Sequence, residues 1–516
     1  ATREAAGGGK AFQVPEHLLH PFPAGEAEGA QPGRVHEQPA ARQHLAGRAA
    51  ARGVDPARLV FAPVVPHPEH VARHALAAGD TVSGCDASDS PTLEALRKLG
   101  MHVHVGHDPS HLEDVDVLVT SAAVADDAPE RLAALEGGIP ILRRIDLLRD
   151  LFDRHRALGV TGTHGKSTTS GMLASILIET GRDPHVQLGA NLPAIDGVMR
   201  YGSDPFLVAE VDESDRGFAD LHADVAIVTN LEDDHIAGEH DERRTYHASL
   251  EDLERATRRY AHQAATLVSC ADWPGLDDLL AGHPHHLRYG EARDATHRID
   301  DLTLDGTGSH FRVTHGDETV DVTLHVPGRY NALNATAALT AAHAIGVPLA
   351  DAAAALATYR GVGRRWDRWG DRSGAPIIDD YAHHPTEVAA TLAAARATGR
   401  RVRAVLQPHR WVRIARHWPA LADAAGAADE TLVVDVYGAG ERPIPGVSSD
   451  QIVERMRQAG HDASRHDLAS AARHLRATLD PGDLIVTLGA GDVWRVAAAL
   501  VDDRRADLPL AESESE

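Results

Sequence analysis

The run Val160 to Thr169, VTGTHGKSTT, leads straight into MLASILIETG and leaves few folds open to this chain. An apolar segment, a tight glycine-bearing turn, a lysine, hydroxyl residues and a helix follow one another, the order of a strand–loop–helix phosphate site. Glycine tolerates the turn. Backbone N–H groups around Gly162 and Gly165, with Thr163 and His164 between them, can therefore point at an anion, and the helix N-terminus adds positive potential. Lys166 reaches the outer phosphates, the Ser167 hydroxyl sits on a magnesium ion, and Thr168 continues the loop. The spacing predicts a helix with Met172, Leu173, Ile176 and Leu177 on one face. Composition supports the reading: of 51 lysines and arginines only Lys10, Lys98 and Lys166 are lysines. In an arginine-rich chain, a lysine here answers a need for a compact ammonium. The expectation is a site for ATP and Mg2+.

At 516 residues the chain is too long for one ordinary core, and two to four domains are expected. A formal charge of −25 argues against nonspecific nucleic-acid or anionic-membrane partners. Two cysteines, Cys85 and Cys270, build no disulfide framework and point to a reducing compartment. No apolar run approaches the roughly 20 residues of a membrane span, and the N-terminus carries no signal-peptide pattern. The expected location is the cytoplasm, as a monomer or homodimer.

Residues 1–56, rich in Gly, Pro, Ala and His without sustained period, read as a flexible extension. From Leu59 short apolar runs (RLVFAPVV, DTVSGCD, HVHVG, VDVLVTSAA) alternate with helical patterns such as SPTLEALRKLG, the α/β rhythm of a parallel sheet. A first domain is expected over 57–155. A second α/β unit, 156–362, carries strands at GVTGT, FLVAEVDE, VAIVTNL and ATLVSC. It ends in a β-rich stretch where HFRVTH and TVDVTLHV pair through Gly316-Asp317, followed by an Ala-rich helix after Asn331. A third unit, 363–503, holds APIIDDYAHHP, VRAVLQ, ETLVVDVY and DLIVTLGAG. Residues 504–516 read as a disordered tail.

Strand ends in α/β sheets face the ligand crevice. Glu210 ends FLVAE, and Asp233-Asp234-His235 follow AIVTN, so Glu210 and His235 are expected to project toward the same phosphates as Ser167. A carboxylate, a hydroxyl and an imidazole suit one or two magnesium ions, with phosphate oxygens and water completing the shells. The competing reading, a solvated acidic turn across Glu210, Asp212, Glu213 and Asp215, stays open for Asp212 and Asp215.

TGTHGKSTT, AEVDESD, TNLEDDH, PGRYNALNATAA, RRWD, DDYAHHPTE, QPHR and GAGD occur in the order found in the Mur ligases, and residues 59–500 resemble that family. The resemblance implies an α/β fold of three domains: a Rossmann-like N-terminal domain for a UDP-sugar, a central P-loop ATPase domain with a parallel sheet, and a Rossmann-like C-terminal domain that closes over both. It implies an ATP-dependent carboxylate–amine ligase that joins an amino acid, L-alanine foremost, to the carboxylate of a UDP-muramoyl sugar through an acyl phosphate, in peptidoglycan precursor synthesis. Lys166, His235, Arg365 and His383 are the implied catalytic residues, and Ser167, Glu210 and His235 the metal ligands. Asn331 and Asn334, three apart on a helix, suit an adenine edge. Arg365 brings charge to the phosphates on closure, and Asp380 and His383 follow the third domain's first strand to touch nucleotide and intermediate. Arg410 resembles the guanidinium that takes the amino acid's carboxylate, with His384 and His409 beside it. On the uridine side, Gly84, Asp86 and Ser88, and Ser121 of TSAA, match.

The chain departs from the family where a glycine-rich loop normally holds the diphosphate. It reads VFAPVVPHPEHVARHALAAG instead, with Pro63, Pro66 and Pro68 and no glycine between Phe61 and Ala78. Proline donates no N–H, so this loop cannot cradle a diphosphate in the same way. Two substrates stay open: a UDP-muramoyl compound held by groups such as His67, His70 and Arg73, or a different carboxylate. A nucleotide-binding paralogue without catalysis is the reading from another class. Smaller departures are Tyr330 for His, Trp366-Asp367 for Phe-Glu and Ile236-Ala237 for Leu-Asp.

Overall fold

The computed structural model describes residues 58–61, 81–86, 91–98, 100–120, 124, 127–237 and 246–502. The expectations for 1–56, for the proline-bearing loop, for Ser88 and Ser121, and for the tail lie outside them. Three sheets follow one another along the chain. The first is five-stranded and wholly parallel, in the order His102–Val105, Thr81–Asp86, Arg58–Phe61, Val117–Thr120, Ile141–Arg143.

The second sheet has ten strands rather than a simple parallel set. Its parallel centre runs His286–Gly290, Thr266–Cys270, Val225–Val228, Arg156–Thr161, Phe206–Glu210, His185–Leu192. At one edge Gly197–Arg200 pairs antiparallel with His185–Leu192. At the other edge His297–Leu304 leads to the expected hairpin, Ser309–His315 with Glu318–Leu324, closed by His315 opposite Glu318. The four most apolar parallel strands and the edge hairpin were legible from sequence, whereas His185–Leu192, His286–Gly290 and Gly197–Arg200, with mixed polarity, were not.

The helix Lys166–Glu179 departs from the one-faced pattern expected of it. Every residue from Ser167 to Leu177 is buried, because the helix is held between the sheet and two neighbours, Arg329–Ala344 and Leu349–Leu356. A small residue is also required where the segment after Leu349–Leu356 crosses the helix: a Cβ on Gly171 would meet Val362 Cγ1 at 2.6 Å. Asn331, Ala332 and the run Asn334–Ala342 of the Ala-rich helix are equally buried.

The third sheet runs Asp367–Arg372, Ala375–Asp380, Asp483–Leu488, Arg401–Leu406, Glu430–Val433, Ala463–Arg465. Its first strand is antiparallel to Ala375–Asp380 and the rest are parallel. Asp380 and His383 therefore follow the second strand of this unit, not its first. No helix among the described residues is long and apolar enough to cross a membrane.

Candidate active site

Strand Arg156–Thr161 delivers the chain into the phosphate loop, where Gly162 (φ 127°) and Gly165 (φ 83°) adopt left-handed conformations. A Cβ on Gly162 would overlap the Thr229 hydroxyl, and one on Gly165 would meet Asn334 Oδ1 at 2.5 Å. The loop is held by the segment after the adjacent strand. His164 N donates to Asn230 Oδ1 (2.8 Å), Asn230 Nδ2 and Thr229 Oγ1 donate to the His164 carbonyl (2.9 and 2.7 Å), and Glu232 N donates to Thr163 Oγ1 (2.8 Å). Helix Lys166–Glu179 opens directly from Gly165, with Ser167 and Thr168 buried in its first turn.

Lys166 Nζ donates to the carbonyls of Gly162 (2.7 Å) and Thr163 (3.2 Å) and lies 2.8 Å from Glu213 Oε2. Burial alone would lower the ammonium's pKa, but Glu213, Asp212 and Glu210 outweigh it and raise it. Glu213 is 1 % exposed. Burial pushes its carboxyl up to about 7 against the pull of Lys166. Its backbone carbonyl accepts from His247 Nε2 at 2.8 Å, which fixes the acidic turn inward.

His235 sits at φ 57°, a conformation that non-glycine residues keep only when their surroundings impose it. Its Nε2 is 3.6 Å from both Glu213 Oε1 and Asp234 Oδ2, and burial lowers the ring to about 4. Asp212, Glu213 and His235 each offer a ligand atom within 4.8 Å of the others. The set expected from sequence was Ser167, Glu210 and His235, of which His235 lies in this cluster. The Glu210 carboxylate faces the same loop but is held by Gly189 N (2.8 Å), while Glu213, to which no role was assigned, takes the central place. Asp215, left open between ligand and surface, is structural: it is buried, accepts from Gly217 N (2.9 Å) and lies 3.5 Å from Arg143.

A cavity enclosing about 850 Å³, the open solvent at its mouth included, adjoins the loop. Trp273, Tyr289, Tyr330 and Leu333 supply apolar walls, and Asn331, Asn334, Arg365 and Asp380 polar ones, a lining suited to a flat heterocycle with a few polar edges. Asn331 Nδ2 donates to the Pro327 carbonyl (2.8 Å) and Asn334 Oδ1 accepts from Thr169 Oγ1 (3.3 Å), so half of each amide is committed to the protein. Asp380 accepts from Trp366 N (2.8 Å) and Ala382 N (2.9 Å), and burial raises it to about 6 despite Arg365. The Arg365 guanidinium lies over the Tyr381 ring (4.7 Å) and 3.6 Å from Glu387.

The third unit closes on the central one through charged side chains. His164 Nε2 is 2.7 Å from Glu232 and its Nδ1 3.2 Å from Glu387. Burial would lower this imidazole, but Glu387 and Glu232 prevail and raise it to about 9. Thr386 Oγ1 donates to Glu232 (2.9 Å), and His384 Nδ1 lies 3.2 Å from the same carboxylate. Arg413 grips Asp234 with Nε and Nη2 at 2.9–3.1 Å, both residues buried. Arg410 Nε donates to Glu441 and its Nη1 to Tyr246 Oη (2.9 Å), so its fork already holds a carboxylate. Burial, reinforced by Arg413, lowers His383 to about 3; burial and His164 lower His384 to about 4. His409 stacks on Tyr437, 5.7 Å between centroids. Gly84 and Asp86 lie apart from this cluster, at the end of Thr81–Asp86 in the first sheet.

Sequence reasoning passed over Glu213, Glu232, Asp234, Thr386, Glu387 and Arg413. All six lie inside or beside motifs already singled out, EVDESD, TNLEDDH, DDYAHHPTE and QPHRWVR, but no spacing rule distinguishes them from neighbouring polar residues.

Residues 69–156 match the family model described as Mur ligase family, catalytic domain; 160–342 match the Mur ligase middle domain; 364–491 match the Mur ligase, glutamate ligase domain. The UDP-N-acetylmuramate–L-alanine ligase of Deinococcus radiodurans is 43 % identical over 431 residues, spanning 82 % of this chain and 89 % of that protein. The enzyme of the same name from Streptomyces avermitilis is 40 % identical over 435 residues, 82 % and 92 % of the two chains. Among solved structures, the UDP-N-acetylmuramate–alanine ligase of Thermotoga maritima superposes with a TM-score of 0.75 at 26 % identity, covering 87 % of this chain and 99 % of that one.

Proposed function

This chain belongs to the Mur ligase family, and on that premise we propose that it uses ATP to join L-alanine to the carboxylate of UDP-N-acetylmuramate. The observation that carries the reading is the convergence on one phosphate loop of the Lys166 ammonium, the donors Asp212, Glu213 and His235, and the Arg365–Glu387 pair of the closing third unit. The substrate carboxylate attacks the γ-phosphate, giving an acyl phosphate and ADP. The amine then attacks the acyl carbon, loses its proton, and phosphate departs as the amide forms.

The residues present fit a divalent cation. Two carboxylates and an imidazole lie within ligand distance of one another, and His235 Nδ1 is buried without a hydrogen-bond partner among the described residues. Asp212, Glu213 and His235 would hold it, with Ser167 and Glu210 facing the same phosphates; bound there, Mg2+ supplies charge neutralisation to the phosphate oxygens. Phosphoryl transfer asks for positioning and charge rather than covalent help. Lys166 meets the terminal phosphoryl group from the loop side and Arg365 from the closing side. Asn331, Asn334 and Asp380 position the nucleotide in the adjoining cavity. His383, a neutral ring, orients by hydrogen bonding rather than by charge. Arg410 exchanges Glu441 for the amino acid's carboxylate, and His384 stands by it. Gly84 and Asp86 take the uridine side. An enzyme supplied with ATP and a nucleotide-linked sugar works in the cytoplasm.

The test is phosphate release from ATP and Mg2+ with UDP-N-acetylmuramate and L-alanine both present, each omitted, and glycine or L-serine in place of alanine. Release that requires both named substrates is expected. Release that ignores the muramoyl sugar, or that appears only with another acid, sinks the reading.

A further inference from the structure

The first domain carries a second cluster of metal-capable side chains, remote from the phosphate loop in sequence and sheet. Strand Thr81–Asp86 buries Cys85 near its end. The neighbouring strand, His102–Val105, runs into His107 and then a 3-10 turn, Pro109–Leu112, which carries His111 and is capped by Asp108 accepting from Ser110 N (2.8 Å). Helix Pro129–Gly137 presents Glu130 in its first turn, fully buried.

These segments converge on one carboxylate. Glu130 Oε1 lies 3.1 Å from Cys85 Sγ, 3.1 Å from His107 Nδ1 and 3.3 Å from His111 Nδ1, and it accepts from Asp108 N at 3.0 Å. Cys85 Sγ is 3.7 Å from His107 Nδ1. Glu130 Oε2, equally buried, has no hydrogen-bond partner among the described residues. Four groups crowding one oxygen while its twin has none is a poor hydrogen-bonding solution for a buried carboxylate. It is a good coordination shell. Zinc bonds of about 2.0–2.3 Å at tetrahedral angles separate neighbouring ligand atoms by about 3.3–3.8 Å, close to the separations of Glu130 Oε1 from its three side-chain neighbours, and Cys85, His111 and Glu130 each offer a ligand atom within 4.8 Å of the others.

We propose that Cys85, His111 and Glu130, with the neighbouring His107 drawn in as fourth ligand on binding, form a binding site for a divalent transition-metal ion, Zn2+ foremost. One thiolate, two imidazoles and one carboxylate are the donor types zinc takes, and His-x3-His is a spacing its sites use. Magnesium, which wants oxygen, is disfavoured there. The His111 ring stacks on His104 at 4.3 Å, which fixes its orientation as an outer-shell partner does. The His107 side chain is 30 % exposed, so the ion has an entry path, whereas Cys85 and Glu130 are sealed. The ion would tie the end of Thr81–Asp86, next to Asp86, to the turn and to the helix Pro129–Gly137.

The experiment uses the full chain, stripped with a chelator, kept in excess Mg2+ and titrated with Co2+. Expected are one Co2+ per chain, the strong visible absorption of tetrahedral cobalt, and a thiolate-to-cobalt charge-transfer band, displaced by Zn2+. The band should vanish in Cys85→Ser and persist in Cys270→Ser, which removes the other cysteine of the chain. His107→Gln, at a partly exposed ligand, should weaken Co2+ binding about a hundredfold and reads the site even if Cys85→Ser does not fold. Absence of the band in the wild-type protein, its survival in Cys85→Ser, or unchanged affinity in His107→Gln overturns the proposal.

Discussion

On the proposed function, Lys166 is prepared for an anion before the anion arrives. Its half-buried ammonium is held by Glu213 and two loop carbonyls, so a phosphoryl group would find a fixed charge, and little reorganisation would remain for the reaction itself. Lys166→Ala is expected to lower turnover about a thousandfold or more while circular dichroism and thermal unfolding stay near wild type. The fold survives because Glu213, already raised to about 7, takes up a proton once its partner is gone. Turnover at the wild-type rate would dismiss the phosphate-loop assignment. At this scale the lysine was legible, since a loop motif ties residue type to backbone geometry. Glu213 was not: DESD reads as a polar turn, and its burial depends on Lys166 and on His247, far away in the chain.

Among elements, the helix Trp411–Ala425 joins the third unit to the central one through a buried ion pair. It starts from Arg410 at φ 66° and turns Arg413 onto Asp234. Breaking a buried bidentate pair by removing one partner costs about 3–5 kcal/mol, and here the cost falls on closure because the partners belong to different units. Arg413→Ala and Asp234→Ala should each expand the molecule in small-angle scattering and reduce ligase activity, and the double variant should be no worse than either single one. Additive losses would mean that the two side chains act separately. Strand and helix types in the apolar interior were readable from sequence. Edge strands such as Asp367–Arg372, whose residues are all half-buried or exposed, carry no apolar alternation to read.

For the molecule as a whole, charged contacts between the central and third units centre on His164. The ring is held charged, near 9, by Glu232 from its own unit and Glu387 from the closing one. Its folded value exceeds the unfolded one, so its contribution is complete below about pH 6.5 and is lost as pH rises through about 9, with an upper bound of about 3 kcal/mol. Melting temperature and compactness should therefore fall between about pH 7 and about pH 10, and His164→Gln should flatten that part of the profile; an unchanged profile in the variant would assign the pH dependence elsewhere. By itself the sequence determined the strand–loop–helix unit, the order of the three α/β units and the family, because these rest on local steric rules and on contiguous motifs. Only the tertiary structure decided that Glu213 lies beside Asp212 and His235, that Arg413 meets Asp234, and that Cys85 meets Glu130. Each is a contact between segments far apart in the chain, and burial, which sets both their partners and their charge states, exists only once those segments are packed.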